Sequence, residues 1–156
     1  MTICKIETFR NDIPMGERLI GLDVGKKTIG LATCDASWQV ATPHSILWRE
    51  KFTPDMEKLF ALIKDEGNIG GMVIGWPLNM DGTTGPRCDS IRDFTHAMLK
   101  LQDFPVIFQD ERLSTAAVER AMVDADMTRQ KRHLRRDALA ATWILQSALD
   151  LMGAID

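Results

Sequence analysis

The 156-residue sequence lacks the features that mark membrane, secreted and cysteine-rich proteins. It has no apolar run of the about 18 residues needed to span a bilayer. Its N-terminus lacks the charged-then-apolar layout of a signal peptide. The three cysteines (Cys4, Cys34 and Cys88) are scattered and form no C-x-x-C pair, which argues against a zinc site and against a disulfide framework. We therefore expect a cytoplasmic protein, because free thiols suit a reducing compartment.

The sequence also lacks an excess of positive charge, since its net charge is −3 at pH 7. Global charge therefore does not mark a nucleic-acid-binding protein, although local basic clusters can still bind phosphates. The length fits one domain, and the chain shows no repeat, low-complexity tract or linker. We expect a single domain over residues 18–152, preceded by an N-terminal extension, residues 1–17, without clear periodicity.

From Arg18 onward, short apolar runs and amphipathic stretches follow one another in a definite order. Two runs, RLIGLDVG and TIGLATCD, are joined at GKK as in a hairpin, and QVATPHSILW predicts a third strand. Pro43 in that third strand indicates a sheet edge or a bend. A helix, the buried strand GGMVIGW, a second helix and the strand FPVIFQDER come next. This order predicts an α/β fold with a mixed five-stranded sheet, its first three strands antiparallel, and helices on both faces.

Two more helices are predicted after the last strand. Ser114 or Thr115 can cap the first of them. The stretch DMTRQKRHLRR predicts a polar, basic connector, and the last helix is predicted from Asp137 to Leu151. Small alanines follow Asp137, so we expect this helix to lie close to the sheet and to bring Asp137 near the first strand.

Acidic residues occur on three separate predicted elements. Asp23 lies in the apolar first strand, where a carboxylate costs several kcal/mol unless it is paired, hydrogen-bonded or bound to a cation. Asp110 and Glu111 end the last strand and point to opposite faces if it stays extended, so only one reaches a shared site. We expect that residue to be Glu111, although a β-bulge could reverse the choice. Asp137 is the third acidic position.

Carboxylates that converge from three elements repel one another unless a cation lies between them. Hard divalent cations such as Mg²⁺ or Mn²⁺ take oxygen ligands, and such ions can support phosphodiester hydrolysis. We therefore take Asp23, Glu111 and Asp137 as candidate catalytic residues and metal ligands. Each has an ordinary alternative: a turn residue, a solvated strand end, and a helix-start residue interacting with the helix dipole, respectively.

Basic residues precede Asp137 within a short stretch: Arg129, Lys131, Arg132, Arg135 and Arg136. We expect this segment, together with Arg112, Lys26 and Lys27, to contact the phosphates of a nucleic acid. The alternative for the segment is a solvated surface loop.

Four motifs in order resemble the YqgF family, also called RuvX or Holliday-junction-resolvase-like proteins. These motifs are LIGLDVGKKTIGLATCD, VIGWPLNMDGTTGPR, DERLST and RRDALAATWILQSALD. The resemblance implies an RNase H-like fold and a cytoplasmic bacterial endonuclease that helps mature the 5′ end of 16S ribosomal RNA. By position, Asp23, Glu111 and Asp137 match the family's acidic residues. Asn79 falls in its P-L-N-x-D-G loop, which borders the expected cleft, so we expect Asn79 to contact nucleic acid as well. Trp76 stands where leucine is common.

Other functions remain open at the level of sequence. Some members of the family are tied to Holliday-junction resolution, so branched DNA is an alternative substrate to a ribosomal RNA precursor. A non-catalytic RNA-binding assembly factor would keep the same fold without cutting. The hairpin DVGKKTIG also looks like the phosphate-binding hairpin of actin-like ATPases, which need a second lobe. Either a monomer or a homodimer is compatible with the sequence.

Overall fold

The computed structural model describes residues 4–112 and 129–155, and in the second range it describes side chains for residues 138–153. One five-stranded sheet forms the centre of the molecule. Its strands are β1 (Arg18–Val24), β2 (Thr28–Cys34), β3 (Ala41–Trp48), β4 (Ile69–Trp76) and β5 (Val106–Asp110). The helices are α1 (Ile6–Phe9), followed by a 3₁₀ turn (Arg10–Asp12), then α2 (Phe52–Glu66), α3 (Pro86–Leu101) and α4 (Arg129–Ile155).

The sheet is mixed and has the strand order β3-β2-β1-β4-β5. Strand β2 pairs antiparallel with both β1 and β3, whereas β1, β4 and β5 are parallel. The tight turn after β1 is closed by a hydrogen bond of 2.9 Å from the Gly25 N–H to the Thr28 carbonyl. The predicted mixed sheet, with its antiparallel beginning, is therefore confirmed.

Pro43 has both of the properties that the sequence offered as alternatives. Its strand, β3, is at one edge of the sheet, where a missing N–H costs no central hydrogen bond. The register between β2 and β3 also shifts there, because Leu31 pairs with Ser45 and Ala32 pairs with Pro43. The proline therefore lies at an irregularity of an edge strand.

Helices cover both faces of the sheet and create two apolar cores. Helices α2 and α3 pack on one face through buried residues that include Leu59 and Met98. Helix α4 packs on the other face through Ile144 and Leu145. None of the helices in the described ranges combines the length and the apolar character that crossing a membrane requires.

Helix α4 lies unusually close to β1 because β1 contains Gly21. A Cβ atom at this position would lie 2.8 Å from the Leu145 Cβ and 3.1 Å from the Ala141 carbonyl oxygen. Only a glycine leaves room for the helix backbone at this distance. The predicted close approach of the alanine-rich helix to the first strand is thus confirmed.

The segment before β1 packs on the same face as α4. Phe9 and Ile13 are buried in that core. The Trp38 indole N–H donates a hydrogen bond of 2.8 Å to the Glu17 carbonyl, which ties the end of the segment to the turn after β2. Residues of this segment thus contribute to the core, while a domain boundary at residue 18 stays a prediction.

The predicted connector before Asp137 is wrong for residues 129–136, because α4 begins at Arg129 and not at Asp137. Residues 129–152 contain no glycine or proline, and arginine, lysine, glutamine and leucine are good helix formers. Helix propensity therefore outweighs the lack of apolar periodicity. The helix predicted after Ser114 or Thr115 lies outside the described residues.

Candidate active site

Asp23 and Glu111 meet at one edge of the sheet. Asp23 is half-buried near the end of β1, and Glu111 directly follows β5. Their carboxyl groups are in hydrogen-bonding contact. The Glu111 N–H donates a hydrogen bond of 3.2 Å to the Trp76 carbonyl, which holds the residue beside the end of β4. The pair therefore lies where the parallel strands β1, β4 and β5 all end, the edge at which open α/β sheets bind ligands.

Strand β4 runs between β1 and β5, and Gly75 leaves the space that the Glu111 carboxylate occupies. A Cβ atom at Gly75 would lie 2.6 Å from Oε2 of Glu111 and 2.8 Å from Cδ1 of Ile144. Any side chain at this position would displace the carboxylate or the helix residue behind it. The glycine thus forms the floor of the acidic site.

The surroundings of Glu111 favour a shared proton or a cation. Burial raises the pKa of the Glu111 carboxyl above its ordinary value, while the hydrogen bond with Asp23 and the positive charge of Arg87 oppose that rise. Two carboxyl groups in contact at a partly buried position repel each other when both are ionised. Their donor atoms are all carboxylate oxygens, the ligands that hard divalent cations prefer, so the pair fits Mg²⁺ or Mn²⁺.

Asp110 lies on the opposite face of the sheet from Asp23 and Glu111, and its carboxylate has a different partner. It pairs with Trp76 across β4 and β5, and the Trp76 ring packs against Phe108 at 4.6 Å on the face of α2 and α3. Its carboxylate accepts hydrogen bonds from the Arg112 backbone N–H and from the Arg112 guanidinium, at 2.9 and 2.8 Å. The structure thus brings Glu111, and not Asp110, to Asp23.

The loop after β4 contains Asn79 and comes close to Arg112. The Asn79 amide donates a hydrogen bond of 3.0 Å to the Thr83 hydroxyl, so this side chain stabilises its own loop. Asp81 accepts hydrogen bonds from the N–H and hydroxyl of Thr83. Arg112 Nη1 lies 3.5 Å from the position of a Cβ at Gly82. The loop and the Arg112 side chain after β5 therefore lie side by side.

Lys26 and Lys27 are exposed in the turn that follows Asp23 and β1. Two arginines that are not among the predicted phosphate-contacting residues lie beside the same turn. Arg49 donates a hydrogen bond of 2.6 Å to the Gly25 carbonyl, and Arg87 donates one of 3.5 Å to the Val24 carbonyl. They come from the loop after β3 and from the start of α3, so no contiguous motif joins them to Asp23.

The remaining predicted residues belong to the first turns of α4. Asp137 stands one helical turn before Ala141, whose carbonyl approaches Gly21 of β1. Side chains of residues 129–137 lie outside the described ones, so the positions of the Asp137 carboxylate and of five basic side chains are not part of the geometry above: Arg129, Lys131, Arg132, Arg135 and Arg136. Among the side chains that the structure does describe, no group of three or more His, Cys, Asp and Glu could hold a metal ion. The three-carboxylate cluster stays a prediction.

Comparison with known proteins points to one family. The model of the family described as "RuvX: Holliday junction resolvase" matches residues 17–151. A protein of Rhodospirillum rubrum is 48% identical over 153 residues, which cover 97% of this chain and 94% of that protein. A protein of Phenylobacterium zucineum is 50% identical over 139 residues, which cover 88% of each. Both bear the name "Putative pre-16S rRNA nuclease".

Two solved structures share the fold. The yeast mitochondrial Holliday junction resolvase Ydc2 matches with a TM-score of 0.50 at 14% identity, over 95% of this chain and 84% of that one. The fowlpox virus resolvase, solved with Holliday junction DNA, matches with a TM-score of 0.51 at 11% identity, over 88% and 98%. At identities this low, the matches support a shared fold and nothing more. The expected RNase H-like fold is thereby confirmed.

Proposed function

Since the chain belongs to the RuvX family, we propose that it is a nuclease that cuts the precursor of 16S ribosomal RNA near its 5′ end, with Mg²⁺ or Mn²⁺ as cofactor. The observation that carries this proposal is the contact between Asp23 and Glu111 above Gly75. A pair of carboxyl groups at the ligand-binding edge of the sheet, with no side chain beneath it, suits metal-assisted hydrolysis of a phosphodiester. The choice of RNA rests on the names of the relatives.

Asp23 and Glu111 would hold the cation, and Asp137 would join them from α4. A divalent cation bound there supplies the positive charge that phosphodiester hydrolysis needs around the reacting oxygens. The chain's own residues do the rest of the positioning. Lys26 and Lys27 offer charges at the turn after β1, and the basic first turns of α4 offer more. These cations hold the phosphates of the strand against a site that is otherwise acidic.

Arg112 has a defined part in this arrangement. Its Nη2 and Nε atoms bind the Asp110 carboxylate, which leaves Nη1 beside Gly82 as a donor for substrate. A guanidinium has five N–H groups, so one carboxylate does not exhaust it. The names of the relatives refer to ribosomal RNA, which favours the bacterial cytoplasm as the place of action.

A second candidate function is resolution of Holliday junctions. The description of the matching family favours it. The same carboxylates could serve either backbone, because phosphodiester chemistry is common to RNA and DNA. Discrimination depends on the shape of the nucleic acid and on contacts to the 2′-hydroxyl.

The test is cleavage of an end-labelled RNA that spans the 5′ leader and the start of 16S ribosomal RNA. We expect cutting with Mg²⁺ or Mn²⁺ and none with EDTA. Asp23→Asn should lower the rate by more than about 100-fold, since it removes a charged ligand. Its melting temperature in EDTA should be unchanged or higher, because a source of repulsion is gone. Asp65→Asn, an exposed carboxylate on α2, is the matched control and should cut normally.

Two results would contradict the proposal. A wild-type protein that binds this RNA without cutting it in either metal is a non-catalytic factor. Full activity in Asp23→Asn would show that the acidic pair does not take part.

A further inference from the structure

A basic pocket opens beside the acidic pair, at the turn between β1 and β2. It has a volume of about 170 Å³. Among the described side chains, three cationic ones line it, Lys26, Arg49 and Arg87, together with the Ser90 hydroxyl, and none of the described lining residues is acidic. We call this feature the basic pocket. Of these cations the sequence predicted a phosphate contact only for Lys26: Arg49 lies outside the four motifs, and Arg87 ends the motif VIGWPLNMDGTTGPR without a predicted role.

The two arginines of the basic pocket are held in place by the protein. Arg49 donates to the Gly25 carbonyl at 2.6 Å, and its guanidinium lies 5.4 Å from the centre of the Phe94 ring. Arg87 donates to the Val24 carbonyl at 3.5 Å. Each of the two hydrogen bonds uses one of the five N–H groups of a guanidinium, so several donors remain for a ligand. Pre-positioned arginines lose little side-chain entropy when they bind an anion.

Within residues 4–112 and 138–153, no carboxylate forms an ion pair within 4.0 Å with Lys26, Arg49 or Arg87. Other arginines of the molecule behave differently, since Arg92 binds Asp89 and Arg112 binds Asp110. Three neighbouring cations without such a partner repel one another, and an anion in the pocket relieves that repulsion. The start of α3 adds its positive dipole end, because Arg87 is in the first turn of that helix.

We propose that the basic pocket binds a backbone phosphate of the nucleic acid substrate, one other than the phosphate that is cleaved. This inference rests on the proposed nuclease function and adds a second contact point to it. Val24 of the pocket follows Asp23 directly in β1, and the positive charge of Arg87 reaches Glu111. An acidic pair repels an approaching nucleic-acid strand until cations are in place. A phosphate held in the pocket keeps the strand beside the carboxylates, with arginines that bind phosphate through two parallel N–H groups.

The experiment measures binding of a fluorescein-labelled single-stranded RNA of about 20 nucleotides in EDTA, where no cutting occurs. Fluorescence anisotropy is recorded over a range of salt concentrations. Arg87→Gln should weaken binding several-fold and lower the slope of log K against log salt by about 0.7, the value for one lost phosphate contact on a single strand. Arg87 is exposed, so this variant should fold normally. Arg49→Lys keeps the charge but loses the fork-like donors, and it should weaken binding with little change in slope.

Arg10→Gln is the matched control. The Arg10 guanidinium also lies 5.4 Å from an aromatic ring, that of Trp38, and it is beside the end of α4 far from the turn. The Arg10→Gln variant should bind the RNA with the same affinity and the same salt slope as the wild type. An equal loss of slope in Arg10→Gln would overturn the inference, because the effect would then be one of general charge.

Cleavage of the longer RNA separates this inference from the proposed function. If the wild type cuts and Arg87→Gln keeps the wild-type slope, the pocket inference is wrong and the nuclease proposal stands. If the slope falls in Arg87→Gln while the wild type cuts nothing, the pocket inference holds and the nuclease proposal is wrong. A pocket for free phosphate is a third outcome, which would also overturn the inference. In that case inorganic phosphate stabilises the wild type but not Arg87→Gln, and the RNA slope is unchanged.

Discussion

Asp110 and Glu111 are neighbours in the chain but have opposite electrostatic surroundings. The Arg112 guanidinium, which donates to the carboxylate, lowers the pKa of Asp110 below its ordinary value. Burial raises the pKa of Glu111. One residue is therefore a stable anion with a fixed partner, whereas the other is a carboxyl group that gains from a proton or a cation. This difference follows from the alternation of side chains at the end of β5, which places Glu111 and not Asp110 beside Asp23.

We expect Glu111→Gln to lower cleavage as strongly as Asp23→Asn, because both changes remove a charged oxygen from the same cluster. Asp110→Asn should keep most of the activity and lose at most about 1 kcal/mol of unfolding free energy, the worth of a partly exposed ion pair. Rates at saturating Mg²⁺ and urea unfolding of each variant would measure these effects. Loss of activity in Asp110→Asn together with full activity in Glu111→Gln would show that the assignment is reversed.

At the residue scale, the sequence predicted that Asp23 and Glu111 would lie together, but not that Arg49 and Arg87 would lie beside them. Asp23 is conspicuous because a charge in an apolar strand needs an explanation, and strand alternation showed that Asp110 and Glu111 cannot both reach it. Arg49 and Arg87 carry no such signal, since an arginine after a strand or at a helix start is ordinary at a protein surface. Their significance comes from Val24 and Gly25, whose carbonyls bring them together. Contacts between residues distant in sequence, and not local pattern, define the basic pocket.

Among the elements, α4 differs most from its prediction. The sequence placed a loop before Asp137 because the basic stretch has no apolar periodicity. Absence of periodicity shows only that a stretch has no buried face, and a helix can extend past the core as long as its residues favour helix. The helical form makes the basic first turns continuous with Ala141, which contacts β1. The sheet, in contrast, could be predicted because most of its strands are apolar runs bounded by turn residues.

The turn between β2 and β3 depends on one exposed aspartate. Asp35 accepts hydrogen bonds from the backbone N–H groups of Gln39 and Val40, at 2.8 and 2.9 Å, and from the Ser37 hydroxyl. These donors lower its pKa to about 2, the Ser37 hydroxyl contributing most. They also stabilise a turn in which Trp38 has a positive φ of 59°. The charged form of Asp35 therefore contributes to the stability of this turn.

We expect Asp35→Ala to lower the free energy of unfolding at pH 7 by about 1 kcal/mol, since the hydrogen bonds are exposed to solvent. The folded-state pKa of about 2 lies below the ordinary value of 3.8, so the unfolded state binds the proton more tightly. The contribution of Asp35 is thus complete above about pH 4 and is lost as the pH falls toward 2. Urea unfolding of wild type and variant at pH 7 and pH 2.5 would measure it. A difference that stays constant with pH, or one that Asp65→Ala reproduces, would contradict this role.

For the whole molecule, the arrangement of charge matters more than its sum. The net charge of −3 gives no sign of a nucleic-acid-binding protein. The fold nevertheless places a carboxylate pair and a basic pocket at the same edge of the sheet, where β1 ends. Parallel strands cause this, because β1, β4 and β5 all deliver their last residues to the same edge. The sequence could predict that edge but not the pocket beside it.

The number of acidic pairs per chain bears on the substrate. The described part of one chain brings a single carboxyl pair, Asp23 and Glu111, to this edge of the sheet. One such site suffices for a single cut in an RNA strand, whereas resolution of a four-way junction needs two cuts and therefore two sites related by symmetry. Because we propose RNA as the substrate, we expect a monomer to be the active species. The initial rate of RNA cutting should rise in direct proportion to protein concentration, and light scattering should give the mass of one chain.

The same preparation should be mixed with a synthetic four-way DNA junction and with an RNA of equal length, each in Mg²⁺. We expect one chain per RNA and cutting of the RNA at a higher rate than of any junction strand. Asp23→Asn is the control for both substrates, because it should stop cutting without preventing binding. Two chains per junction, with paired cuts in opposite strands and a rate that depends on the square of protein concentration, would favour the resolvase instead. That outcome would leave the acidic pair in its catalytic role and change only the substrate, since the chemistry of the cut is the same for both backbones.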